Sequence, residues 1–471
     1  MKYKYLPLLV TAALGLIAAE ANAAGYRFGS QSVAGQGNAD ANGAEADDAS
    51  TVFYNPAGLT RLKGSQISAG ATLVLPESSY TDAGSKRFTG TPTGGGAPKE
   101  DYVPHDVTAP SVYFSTPLTD KLTFGMGLFV PYGTHLNYGN NWAGRYALSD
   151  IKLESVDLNP SIAYKLDEHH SFGFGISAEY MKASLGQAVD VPGSVMALNG
   201  TPQSAALIKQ IVALGGNPAA LATVRDGHGE NNGHDWGYGF NLGYMYQLDQ
   251  NTRFGLAYRS AISHKLEGDT VWDFSQVTAD PVVNKVLAAA SHKVNSGARV
   301  QLKTPETLSA NVYHQINDQW AAMADVTWTR NSRLQNLNIE FPGTTEGDEV
   351  IRQQWKNTTR VSLGGNYRFD DKLLFRAGLA FDQSPVRSAE LTHPALPDSD
   401  RVWYSIGANY KINASSSVDV AYSYVDFKDA NINYTNLCNP LATTCTGNGE
   451  TTTGSYKTHI QFLGVAYNYA F

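Results

Sequence analysis

The chain has 471 residues, with 35 basic and 43 acidic side chains for a formal net charge of −8. Only 17% of residues are charged, against about 25% in soluble proteins, while Gly (45) and Tyr (26) are heavily used. That balance, with a mean hydropathy of −0.27, argues against the roughly three soluble domains that length alone suggests, against a polytopic helical membrane protein, and against a basic footprint for nucleic acid.

At the N-terminus, Lys2 and Lys4 precede an apolar run from Leu6 to Ala19 and the small-x-small site Ala21-Asn22-Ala23. This is the pattern of a cleaved secretory signal peptide, residues 1–23. The run is too short to span a bilayer of roughly 30 Å as a helix. No later stretch is apolar enough for a transmembrane helix, which leaves a secreted protein or a β-barrel whose strands alternate.

Residues 24–65 do not alternate and are rich in Gly, Ala, Asp and Asn. Irregular backbone of this kind does not tolerate lipid. It is expected to fill the lumen of a barrel as an N-terminal hatch, a plug that keeps a wide barrel from leaking.

From residue 66 to 471 the pattern has period two. Trp236, Tyr238, Phe240, Leu242, Tyr244, Tyr246 and Leu248 alternate with mostly small polar residues, a run longer than the average soluble strand of about 5–6 residues. Phe172, Phe174, Ile176, Ala178 and Tyr180 repeat it, as do Val402, Tyr404, Ile406, Ala408 and Tyr410. About 14 such segments follow one another, joined alternately by short polar turns and long loops, as in outer-membrane barrels. The last ends on Leu463, Val465, Tyr467, Tyr469 and Phe471. Such an aromatic terminus suits insertion by the barrel-assembly machinery. The expected fold is all-β, a transmembrane antiparallel β-barrel of about 14 strands in contact with outer-membrane lipid and lipopolysaccharide, and a monomer.

Two long loops hold helical patterns. Leu207, Ile208, Ile211 and Leu214 form one apolar face, and Val282, Val283, Val286 and Leu287 another, behind the helix-starting Pro281. The same residues suit a ligand groove or a lid packed on itself. On the strands, taking the apolar parity as lipid-facing turns Lys356, Arg360 and Arg368 inward on one, Arg376 and Asp382 on the next, and Arg401 on the one after. Such a cluster suits a carboxylate, or a salt-bridge ladder that holds the hatch. Pro131 and Gly133 interrupt the third strand, since Pro cannot donate to a ladder; they mark a kink or the strand's end. Cys438 and Cys445, in the last long loop, are expected to pair in an oxidising compartment. No metal-ligand spacing, cofactor motif, nucleotide site or catalytic signature is found, so the chain is not expected to be an enzyme.

Several segments are similar to the FadL family, outer-membrane transporters of long-chain fatty acids that also include TodX-type importers of aromatic hydrocarbons. They are AGYRFG at the expected mature start, the acidic stretch from Ala46 to Ser50, Asn55-Pro56-Ala57, RFGLAYRS from Arg253, WKNTTRVSLGGNYRF from Trp355, FRAGLAFDQSP from Phe375, and the ending FLGVAYNYAF. The resemblance runs through the whole chain. It implies a hatch carrying the Asn55-Pro56-Ala57 motif and passive uptake of long-chain fatty acids in three stages: capture in an extracellular groove on the two loop helices, passage to an internal site, and lateral exit where the third strand kinks. Aromatic hydrocarbon import is the alternative, and a general porin the second. The inward basic cluster favours fatty acids.

Overall fold

A computed structural model describes residues 27–98, 103–104, 106–436 and 449–471. The expected signal peptide and the Cys438–Cys445 pair lie outside the described residues.

Fourteen antiparallel strands close into one barrel, each built on the alternation of its sequence. In chain order they are β1 (Gln66–Asp82), β2 (Val107–Pro117), β3 (Leu122–Phe129, resuming at Gly133–Asn137), β4 (Asp150–Lys165), β5 (His170–Val189), β6 (Gly227–Gln247) and β7 (Thr252–Arg259, resuming at Ser263–Asp273). The second half comprises β8 (Ser296–Lys303 and Thr307–Gln315), β9 (Trp320–Thr329), β10 (Thr358–Arg368), β11 (Leu373–Asp382), β12 (Arg401–Lys411), β13 (Ser416–Phe427) and β14 (Thr451–Ala470). Closure comes from β1, which pairs with β2 through Gln66↔Ser115 and with β14 through Gln66↔Ala470.

Parity follows the sequence. Phe172, Phe174 and Ile176 are exposed on the outer wall, as are Trp236, Tyr238, Phe240 and Leu242, and Leu463 to Phe471 at alternate positions. A one-residue slip in any strand would put this set into the lumen. No helix among the described residues is long and apolar enough to cross a membrane; the strands cross instead. Strands β5, β6 and β14 run 20 to 21 residues, well beyond the 9–11 or so that a bilayer needs, so their upper ends stand above the membrane.

The segment from Arg27 to Ser65 fills the lumen. It holds two short helices, α1 (Val33–Gly37) and α2 (Thr51–Tyr54), and a 3-10 turn Pro56–Arg61. Asn55 caps that turn: its side-chain oxygen accepts from Ala57 N at 3.1 Å, with Pro56 at the first helical position. Asn55 Nδ2 also donates to Tyr244 O of β6 at 3.1 Å. The wall opposite is glycine. A Cβ on Gly173 would lie 2.3 Å from Ala57 N, and one on Gly243 2.3 Å from the Asn55 side chain. The hatch motif thus rests on bare backbone of β5 and β6.

Above the hatch, the long loops fold inward into an aromatic cap. Tyr138 stacks on Trp142 at 4.1 Å, and Tyr80 meets Trp142 at 5.2 Å and Tyr456 at 4.9 Å. The loop after β11 reaches into this cap, where Tyr138 Oη donates to Pro394 O at 2.7 Å. His393 lies edge-on to Tyr434; burial drives its pKa down to about 3, so it is neutral there.

Candidate functional site

The hatch meets the wall at an interrupted strand. Residues Val130 to Tyr132 separate the two parts of β3, because Pro131 removes a donor from the ladder. On the β4 side the break is held by Ser155, whose N–H donates to Tyr132 O at 3.0 Å while its hydroxyl accepts from Tyr132 N at 3.0 Å. On the β2 side the ladder ends at Val112↔Leu128 and, among the described residues, resumes at Pro104↔Leu136. In that gap the hatch supplies the backbone partners. Phe28 N donates to Pro131 O at 2.8 Å, and Gln31 Nε2 to Val130 O at 2.7 Å.

Phe28 also fills an apolar chamber. It packs with Val74, Val107, Val130, Trp403 and Phe462, all buried, and Trp403 stacks on Phe462 at 5.1 Å. Beside the chamber lies a cavity of about 80 Å³, lined by hatch residues Arg27, Asp40, Phe53 and Tyr54 and wall residues Arg259 and Arg360. Three guanidiniums therefore face one small space. Arg360 donates to Asp40 at 3.0 Å and lies over the Trp403 ring. Arg259 approaches Asp157 at 3.5 Å and the Phe53 ring at 4.8 Å. Among the described residues the Arg27 guanidinium bonds the Thr329 hydroxyl, at 3.3 Å, and has no carboxylate within 4.0 Å. Asp40 sits in the left-handed region at φ 58. Ser30 and Tyr54 hold it there, donating at 2.8 Å and 3.0 Å.

The residues expected inside separate into two groups. Arg360, Arg376, Arg401 and Asp382 do face inward, yet each cation has its own carboxylate. Arg376 pairs with Asp419 at 2.5 Å, and Arg401 with Asp382 at 2.8 Å and Asp398 at 2.5 Å. The ladder reading fits them, because parity fixes direction but says nothing of partners. Lys356 is a correction. It is exposed and precedes β10, which begins at Thr358, so the alternation read from Gln353 does not extend to it. Arg27 and Arg259 were missed. The only signals were AGYRFG at the mature start and the inward parity of Arg259 after Phe254, Leu256 and Tyr258.

The two loop helices form where expected, as Pro202–Ala213 and Pro281–Ala290. Their inner faces pack together: Leu207 and Ile211 are buried with Val283, Val286 and Leu287, and Val282 is half-buried. Ile208 and Leu214 remain exposed, joined by Val212 (57%) and Met196 (52%). The predicted apolar stripe is thus mainly an inter-helix core, and the open apolar surface lies one helix face away.

Residues 14–471 match the family model described as outer membrane protein transport protein (OMPP1/FadL/TodX). A putative outer membrane protein of Neisseria meningitidis serogroup B is 35% identical over 96% of both chains. The long-chain fatty acid transport protein of Escherichia coli K12 is 30% identical over 89% of this chain and 92% of its own. Among solved structures, a Pseudomonas aeruginosa FadL homologue shares the fold with a TM-score of 0.80 at 24% identity, covering 95% of this chain and all of that one. The Pseudomonas putida toluene transporter TodX does so at 0.61 and 17% identity, covering 90% and 94%. A hatch-filled barrel of fourteen strands and a family match along nearly the whole chain lead to one conclusion: the protein belongs to the OMPP1/FadL/TodX family of outer-membrane transporters of hydrophobic compounds.

Proposed function

We propose that the cargo is a long-chain fatty acid, taken up passively, and that Arg27 receives its carboxylate. The observation that carries this reading is the Arg27 guanidinium, without a carboxylate partner among the described residues, beside an apolar chamber that the hatch itself occupies. An aliphatic chain suits the slot held by Phe28, and the carboxylate suits Arg27, with Arg259 and Arg360 as neighbouring charge. The cavity of about 80 Å³ is small, so cargo enters by displacing Phe28. Displacement also removes the hydrogen bond from Phe28 N to Pro131 O, which frees the break in β3 as a sideways exit at Pro131 and Gly133.

Capture is assigned to the exposed apolar crest of Ile208, Val212, Leu214 and Met196, and passage to the aromatic cap beneath it. A toluene-like cargo would use the same apolar route and leave Arg27 without a role. The test is binding of oleate and toluene by purified wild type and Arg27→Gln. One charge-assisted hydrogen bond contributes about 1.5–3 kcal/mol, so oleate affinity should fall roughly 10- to 100-fold with toluene unchanged. Equal oleate affinity in both proteins refutes the assignment.

A further inference from the structure

A second concave site opens at the other end of the hatch, towards the short turns. It is a vestibule of about 430 Å³ whose lining includes Arg61, Lys63, Arg253 and Arg368. None of these four has a carboxylate within 4.0 Å among the described residues. Four cations around one cavity repel one another and raise the local concentration of anions. Two acids, Glu45 and Asp47, share the lining, so the four cations outnumber them. Glu45 is buried and accepts from the Asn366 amide, and Asp47 lies 3.9 Å from Arg376. At the rim, Asp249 accepts from Asn251 N and Thr252 N, and Asp370 from Lys372 N and Leu373 N, so both belong to their own turns.

Arg253 is a built element of this site. It is buried, lies over the Tyr313 ring at 3.8 Å, and donates through Nε and Nη2 to the hatch carbonyls of Ala44 and Glu45. Apolar surface from Leu62, Tyr313 and Leu374 adjoins the charges. A bare phosphate would use the guanidiniums and leave that surface idle.

We propose that this vestibule binds an anionic amphiphile from the periplasmic side, with its carboxylate on Arg61, Arg253 and Arg368 and its tail along Leu62, Tyr313 and Leu374. Only the identification of the amphiphile with a fatty acid rests on the cargo reading above. The site is separate from the Arg27 chamber, with the hatch between them.

Calorimetric titration of the whole protein in non-ionic detergent tests it, with decanoate and inorganic phosphate as probes. Wild type should show two decanoate events. Arg61→Gln/Arg368→Gln, both at the exposed mouth, should weaken one of them about tenfold or more and leave the event that Arg27→Gln removes. Phosphate should bind the vestibule at least tenfold more weakly than decanoate. Unchanged decanoate stoichiometry and affinity in the double variant overturns the proposal. Phosphate binding as tight as decanoate also overturns it, leaving an inorganic-anion site only. If Arg27→Gln changes nothing while the double variant loses an event, the vestibule stands and the chamber assignment falls.

Discussion

Glu45 shows how a single hatch residue couples plug and wall. Burial, reinforced by Asp47, raises its pKa to about 7 against the pull of Arg376, Asn366 and Arg253. A carboxyl whose folded pKa is raised contributes stability below its unfolded value of about 4.3, and that contribution is lost as pH rises through about 7. Protection factors across residues 38–46, taken relative to the base-catalysed intrinsic exchange rate at each pH, should therefore be higher at pH 5 than at pH 8, and Glu45→Gln should flatten the difference. The same pH dependence of protection surviving in Glu45→Gln would remove Glu45 as its source. At this scale the sequence was least informative. The direction of Arg360, Arg376 and Arg401 followed from parity, but Arg360 and Arg376 find Asp40 on the hatch and Asp419 two strands away, and no local pattern records such pairings.

Among the elements, the loop helices and the broken strand carry separate expectations. Leu207→Ala opens a cavity between the helices and should destabilise their packing by about 2–5 kcal/mol, seen as faster hydrogen exchange in both. Ile208→Asn/Val212→Asn touches only the exposed crest. It should reduce oleate uptake at low concentration and leave the heat-modifiable folded barrel intact; wild-type uptake would move capture elsewhere. For β3, a bulky Gly133→Phe should block release while binding persists. The helices were readable because helical periodicity marks an apolar face wherever it packs. Whether that face meets a ligand or the partner helix depends on tertiary contact, and here Val283, Val286 and Leu287 meet Leu207 and Ile211.

On the scale of the whole molecule, the barrel was the most legible part. Period-two runs, alternating short and long connections and the terminal Phe471 specify a closed sheet, because every backbone polar group in lipid must be paired and only closure achieves that. The hatch was legible by exclusion, as the one long segment unfit for lipid. Its fit against Gly173 and Gly243 was not, since a glycine in sequence does not announce which backbone approaches it. The hatch fills the lumen of this barrel, so deletion of residues 24–65 should raise single-channel conductance in planar bilayers from near zero to that of an open pore. Low conductance in the deletion would mean that the cap alone seals the lumen.

The proposed function turns on a carboxylate-bearing cargo that Arg27 receives. Uptake of radiolabelled oleate and of toluene by cells lacking their own fatty-acid transporter, complemented with wild type or Arg27→Gln, distinguishes such a cargo from a neutral one. Wild type should restore oleate uptake, Arg27→Gln should lose most of it, and neither should accelerate toluene. Toluene uptake restored equally by both proteins, with no gain for oleate, would contradict it.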